Sequence, residues 1–150
     1  MNQLRADRRV GLLLAGVVFL TFVAIGATVA LPASDPGVRA RTPRRSSLEA
    51  RGVTVYRNEG CWYCHTQQVR STPIDAPYGK ASTPAAYAGM SPPLVGTERI
   101  GPDLAHVGAR YGSADDVMRV LTRRRSQMPS YAYLSTNDLR ALAAYLFSLK

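Results

Sequence analysis

Cysteine is scarce in this chain, because its 150 residues include two, and both lie within one five-residue segment. A framework of structural disulfides is therefore excluded. Histidine is equally scarce, since His65 and His106 are the only two. A zinc site usually takes four Cys or His ligands, so the two histidines would have to complete it, which makes zinc a weak interpretation of the two cysteines.

Acidic residues and lysines are also few. The 19 basic residues outnumber the 10 acidic ones, which gives a formal net charge of +9, and only Lys80 and Lys150 are lysines. A basic balance fits nucleic acid, an acidic protein partner or an anionic membrane surface. No aromatic–basic repeat, zinc-finger spacing or other recognition motif accompanies the arginines, so we expect no nucleic-acid partner.

One long segment, Val10–Leu31, has no charged residue at all. As a helix it would measure roughly 33 Å, enough to cross a hydrocarbon core of about 30 Å. A secretory signal has a shorter apolar stretch of about 7–15 residues. The segment therefore predicts an uncleaved transmembrane anchor over residues 10–31, in contact with lipid, behind a cytoplasmic N-terminus at residues 1–9. Cleavage after Ala30 stays open as an alternative, and Pro32 and Pro36 are expected to end the helix.

The chain after the anchor divides into a linker and a domain. Residues 32–47 are rich in Pro, Ser and Arg, which predicts a flexible, solvated linker. We expect one domain over residues 48–150. Within it, residues 71–100 hold half of the prolines and show neither helical nor strand periodicity. A stretch of this kind tends to be functional or disordered, and its apolar content favours an ordered docking loop.

Three serine-led sequences predict helices in the domain. A capping box at Ser46 predicts a helix that runs to about Asn58. Ser113 is expected to cap a second helix. Ser135 is expected to cap a third, which runs to the end of the chain with leucines at helical spacing on one face.

The motif that indicates chemistry is Cys61-Trp62-Tyr63-Cys64-His65, a C-x-x-C-H sequence. Two residues between the thiols let both sulfurs reach the two vinyl groups along one haem edge, and the adjoining His65 then lies beneath the iron. A thioredoxin-type redox pair would need a βαβ context, which the sequence lacks. The motif therefore predicts one covalent haem c, with His65 as an iron ligand.

A second axial ligand is expected from the remaining methionines and histidine: Met90, Met118, Met128 and His106. Met118 lies in a predicted helix, where a core position is the simpler interpretation. Met128 precedes Pro129 in a stiff turn between two helices, and such a turn can hold a thioether against iron. We therefore expect His65 and Met128 to bind the metal, with Met90 and His106 as alternatives. Ligation by His106 would give a lower reduction potential.

Over about residues 48–150 the chain resembles a class I cytochrome c. The resemblance lies in the order of the first domain helix, Cys61–His65, Gly101-Pro102-Asp103-Leu104, Met128-Pro129 and the last helix. It implies an all-α fold, here with one N-terminal transmembrane helix, in which the terminal helices cross through Gly52, Tyr56, Leu142 and Tyr145. It also implies that the carbonyl oxygen of Pro102 accepts a hydrogen bond from His65.

A narrower resemblance covers residues 59–70, 101–111 and 128–131, which are similar to the mono-haem subunit II of cbb3-type cytochrome c oxidases, members of the haem–copper oxidases. It implies an electron-transfer subunit that is not catalytic alone. Such a subunit receives electrons from another cytochrome c and passes them to a haem–copper catalytic subunit. Arg70, close to the haem motif, would then pair with a haem propionate or simply be exposed.

The sequence alone leaves the orientation of the anchor and the function of the protein open to more than one interpretation. Arginines flank the anchor on both sides, so the positive-inside rule alone leaves its orientation undecided. Covalent haem attachment outside the cytoplasm favours a bacterial inner-membrane protein with a periplasmic haem domain. The alternatives in function are a free-standing membrane-anchored shuttle, the small subunit of a nitric oxide reductase, a peroxidase with an open iron site, and a haem sensor or structural subunit.

Overall fold

The structure is a computed structural model that describes residues 2–34, 44–87, 90, 92–125 and 127–150. These residues form helices, turns and irregular segments, and no strand occurs among them. The predicted all-α class is therefore confirmed. The chain divides into two compact units, residues 1–42 and 43–150.

The first unit is helical throughout its described part. Helix α1 spans Asn2–Ile25, a π-helical turn follows at Gly26–Ala30, and α2 spans Leu31–Ser34. Residues 9–30 have a mean hydropathy of 2.5 and are not buried. Among the described residues this is the one helix long and apolar enough to cross a membrane, as predicted.

The prediction that Pro32 ends the helix is wrong, because helical structure continues to Ser34. The π turn before this proline is the physical reason. There the amide of Leu31 donates to the carbonyl of Gly26, five residues earlier. Local π adjustments of this kind let membrane helices accommodate a proline, which lacks an amide hydrogen. Residues 35–43 of the predicted linker, including Pro36, lie outside the described residues.

Among its described residues the second unit contains four α-helices: α3 at Ser47–Asn58, α4 at Cys61–Cys64, α5 at Ala114–Thr122 and α6 at Thr136–Ser148. Short 3-10 helices lie at Ala76–Tyr78, Pro84–Tyr87 and Val107–Arg110. The three predicted caps are confirmed. Ser46 accepts a bond from the Glu49 amide in a full capping box, and Ser113 and Ser135 cap α5 and α6 in the same way. Each hydroxyl satisfies one of the amides that a helix leaves without a partner in its first turn.

Helices α3 and α6 cross at a glycine. A Cβ atom added to Gly52 would lie 2.6 Å from Cβ of Tyr145 and would also contact the Ala141 carbonyl. The two helices can approach this closely only because Gly52 has no side chain. Next to the crossing, the rings of Tyr56 and Tyr145 meet edge to face with centroids 5.5 Å apart, and both residues are fully buried. The expected crossing of the terminal helices is present, and it forms the centre of the core.

Candidate functional site

His65 ends the short helix α4 and leaves it in an extended conformation. Its amide donates to the Cys61 carbonyl at 3.0 Å, which ties it to the start of the motif. The ring nitrogen Nδ1 lies 2.8 Å from the carbonyl oxygen of Pro102. Since a carbonyl only accepts, Nδ1 carries the proton and the lone pair of Nε2 is free to bind a metal.

A glycine makes room for the His65 ring. A Cβ atom on Gly101 would lie 2.6 Å from Nδ1 and would overlap the imidazole. The amide of the same glycine donates to the Cys64 carbonyl at 2.8 Å. The segment around Gly101-Pro102 is thus bonded to the motif by its backbone and presses against the ring, so the orientation of the imidazole is set from two sides.

A second glycine, Gly96, lies where the backbone packs closely against the end of the motif. Gly96 has a φ of +82°, a left-handed conformation that side chains disfavour. A Cβ atom there would lie 2.8 Å from the Cα of Thr66 and would also meet the His65 carbonyl. Close backbone approach therefore requires glycine at this position.

The two cysteines differ in environment. Cys61 lies in the apolar core, 9% exposed, whereas Cys64 is exposed. Burial raises the pKa of the Cys61 thiol to about 11, although the nearby Tyr131 hydroxyl opposes this shift. Between them, Trp62 stacks on Tyr63 with ring centroids 4.2 Å apart. One thiol is therefore held inside the fold and the other lies at its surface.

Met128 is half-buried and packs against the same core cluster that contains Cys61 and Tyr131. Its turn is closed by backbone bonds: the Arg125 amide donates to the Met128 carbonyl at 3.1 Å, and the Tyr131 amide donates to the Leu121 carbonyl at 2.9 Å. The turn is thus fixed against the end of α5, and Tyr131 lies in the same core cluster as Cys61.

The other candidate residues have different surroundings. Met118 lies in α5 and packs on the core, as expected. Nε2 of His106 lies 2.8 Å from the Lys80 carbonyl, so that nitrogen already has a protein partner. The guanidinium of Arg70 binds the carboxylate of Asp75 through two bonds of 3.0 Å. Met90 is half-buried in the proline-rich loop.

An ion-pair cluster next to the motif was missed by sequence reasoning. Arg99 contacts the carboxylate of Asp75 at 2.7 Å and that of Asp103 at 3.1 Å, and both carboxylates are fully buried. Arg99 also donates to the Thr66 hydroxyl at 2.8 Å, one residue after His65. Bonds from Arg70 and Arg99 hold the pKa of Asp75 well below its ordinary range. We call Asp75, Arg99 and Asp103 the arginine clamp, since it joins the proline-rich loop to the haem motif.

The residues present fit a covalent haem. The free Nε2 of His65, two unpaired thiols and a half-buried thioether are the donors that a haem c takes.

The first and last helices of the second unit cross, the same unit contains the C-x-x-C-H segment, and an apolar helix precedes it in the sequence. These features define the class of membrane-anchored c-type cytochromes. Within that class, residues 8–146 match the family model described as cytochrome c oxidase, mono-heme subunit/FixO. The chain belongs to this family. It is a membrane-anchored cytochrome c oxidase subunit whose family implies one haem c and a catalytic-subunit partner. No curated protein matches the chain significantly.

Proposed function

We propose that this chain is the electron-transfer subunit of a respiratory haem–copper terminal oxidase. It takes single electrons from another cytochrome c and gives them to the catalytic subunit by way of one covalent haem c. The family match supports the oxidase. The observation that carries the proposal is the 2.8 Å bond between His65 Nδ1 and the Pro102 carbonyl, because it leaves Nε2 free and oriented.

In this proposal Cys61 and Cys64 would attach the haem, and His65 and Met128 would be the ligands of its iron. A haem c supplies a one-electron ferrous–ferric couple, and ligation by methionine raises its potential. The Pro102 carbonyl fixes the His65 ring, and the turn closed by Arg125 holds Met128. With His65 and Met128 both as iron ligands, the metal would have no open position for a substrate, which argues against a peroxidase or a ligand sensor.

Arg70 is proposed to contact a propionate of the haem. Nε and one terminal nitrogen of its guanidinium donate hydrogen bonds to the carboxylate of Asp75. The other terminal nitrogen makes no bond to the described residues, and the side chain is 59% exposed. That nitrogen is available for a haem carboxylate.

The proposal also assigns roles to the anchor and the loop. In this proposal the anchor holds the haem-bearing unit, residues 43–150, at the membrane surface on the extracytoplasmic side. It thereby raises the local concentration of that unit beside the catalytic subunit. The proline-rich loop, residues 71–100, would form a second contact with that subunit. The arginine clamp supports this role, because it fixes the loop through buried charges close to the haem motif.

Covalent attachment is the part of the proposal that a simple experiment tests. Haem should stay with the polypeptide on a denaturing gel that is stained for haem peroxidase activity. Replacing both Cys61 and Cys64 by alanine should abolish the stain. Haem that acid–acetone extracts from the intact wild-type protein would contradict the proposal.

A further inference from the structure

The end of α5 carries four exposed arginines: Arg119, Arg123, Arg124 and Arg125. Arg119 pairs with Asp116, one turn earlier. The side chains of the other three make no ion pair or hydrogen bond within the part of the chain that the structure describes. We call these four residues the basic surface.

Helix electrostatics account for only part of this surface. Cations are favourable near the C-terminal end of a helix, which accounts for Arg119 in the last turn and for Arg123 at the C-cap. Arg124 and Arg125 lie beyond the helix. Adjacent like charges repel one another, and an acidic partner would offset that repulsion.

The positive charge continues across a surface cleft. The cleft has a volume of about 320 Å³, and Arg110 lines it together with Arg119 and Arg123. Asp116 is the acidic side chain in its lining, and it is already paired with Arg119. The cleft therefore presents guanidinium groups whose charge exceeds that of the protein's own carboxylates.

The basic surface borders the turn that carries the proposed iron ligand. The Arg125 amide donates to the Met128 carbonyl at 3.1 Å. The Ser130 hydroxyl donates to the Thr122 carbonyl at 2.7 Å, which joins the far side of the same turn to the end of α5. A partner bound to the basic surface would therefore rest beside Met128.

We infer that Arg119, Arg123, Arg124 and Arg125 form the docking surface for the acidic face of a protein that exchanges electrons with this chain, an inference that rests on the proposed function. Guanidinium groups bind carboxylates through paired hydrogen bonds, which fixes the orientation of a partner. Complementary charge also speeds the encounter. Electron transfer requires close approach, and the position beside Met128 favours a protein over a lipid surface.

The test compares two triple variants of the full-length haem-bearing protein in detergent. One, the basic-surface variant, removes three of the four charges of the basic surface by Arg123→Gln, Arg124→Gln and Arg125→Gln. The matched control removes the same charge elsewhere by Arg44→Gln, Arg140→Gln and Lys150→Gln, at exposed positions. The probe is a reduced soluble cytochrome c of negative net charge, mixed with the protein by stopped flow at several ionic strengths.

We expect the basic-surface variant to be reduced about 10-fold more slowly than wild type at low ionic strength, with a flatter salt dependence. The control should stay close to wild type. Equal losses in both variants, or no loss in the basic-surface variant, would overturn the inference. A titration with short-chain phosphatidylglycerol covers the lipid alternative: binding that only the basic-surface variant loses, with unchanged reduction rates, would assign the surface to lipid.

Binding without electron transfer separates this inference from the proposed function. The oxidised acidic cytochrome c should bind the immobilised wild-type protein and the control more tightly than the basic-surface variant. If it does so while wild type is never reduced, the docking surface stands and the electron-transfer function fails. If it binds all three proteins equally, the docking surface is wrong whatever the redox result.

Discussion

At the scale of single residues, Met128 decides what the proposed haem can do. Met128→Ala should open a coordination position and allow carbon monoxide to bind the ferrous protein. Met128→His should keep a six-coordinate spectrum but lower the reduction potential, because imidazole stabilises ferric iron more than a thioether does. Absorption spectra with and without carbon monoxide, together with redox titration, measure both effects.

Met90 and Met118 provide the controls for this assignment. Both are half-buried methionines of the same unit, so replacing either by alanine removes a similar side chain. Neither change should allow carbon monoxide binding. Binding to the Met90→Ala protein, with none to the Met128→Ala protein, would show that the loop methionine is the ligand.

Some contacts of single residues could be predicted from the sequence and others could not. The bond between His65 and Pro102 could be expected, because the resemblance to class I cytochromes c implies it and both residues lie in short motifs. Arg99 could not be foreseen as the centre of a cluster. Its partner Asp75 lies 24 residues away, in a stretch without periodicity, and no local pattern states which carboxylate an arginine meets.

At the scale of secondary-structure elements, the crossing of α3 and α6 depends on Gly52. Alanine has the higher helix propensity by about 1 kcal/mol, so propensity alone predicts that Gly52→Ala is stabilising. The added Cβ would meet the backbone of Ala141 and lie 2.6 Å from Tyr145 Cβ. We therefore expect the free energy of unfolding to fall by about 1–3 kcal/mol, as measured by chemical denaturation.

Thr54→Ala is the matched control, because Thr54 is exposed on the same helix. Its unfolding free energy should stay within about 0.5 kcal/mol of wild type. A Gly52→Ala protein as stable as this control would show that the two helices do not cross as closely as the structure has them.

The arginine clamp makes the attachment of the proline-rich loop depend on pH. The pKa of Asp75 is lowered in the folded state by hydrogen bonds from Arg70, which have the larger effect, and from Arg99. Its stabilising contribution is therefore fully present above the unfolded pKa of about 4 and is lost as pH falls through the much lower folded pKa. Hydrogen exchange of residues 68–87 should accelerate as pH decreases below about 4, beyond the intrinsic change in exchange rate.

Asp75→Asn tests this prediction, because it keeps the shape of the side chain and removes the charge. In this variant the amides of residues 68–87 should exchange faster than in wild type at neutral pH. Their protection from exchange should no longer fall as the pH is lowered. Exposed Asp115 allows the same change outside the clamp, and Asp115→Asn should behave like wild type. Unchanged protection in Asp75→Asn would mean that the clamp does not hold the loop.

The starts of the helices could be predicted from the sequence better than the end of the first helix or the path of the proline-rich loop. Ser46, Ser113 and Ser135 each begin a helix, since side-chain caps and hydrophobic spacing are local signals. The continuation of the first helix past Pro32 was not specified, because it depends on a π turn that has no residue signature. The path of residues 71–87 was also not specified, because ion pairs to the buried carboxylate of Asp75 rather than periodic contacts hold it.

At the scale of the whole molecule, one apolar helix and one helical unit account for the family assignment. Both could be recognised in the sequence, the helix by its length without charge and the unit by the order of its motifs. The run of arginines at residues 123–125 is visible in the sequence. Its position beside Arg110 in one cleft is not, because Arg110 lies before α5 in the chain and only the tertiary structure brings the two together.

The most direct test of the account is purification of the tagged full-length chain from its native membranes in mild detergent. Mass spectrometry, haem staining and an oxygen-uptake assay with a reduced cytochrome then identify its partner and its role. We predict that the chain, bearing covalent haem, co-purifies with a multi-helix haem–copper subunit in a complex that consumes oxygen. Recovery of the cytochrome alone, together with normal respiratory oxygen uptake in a strain that lacks it, would contradict the account and favour a free-standing shuttle.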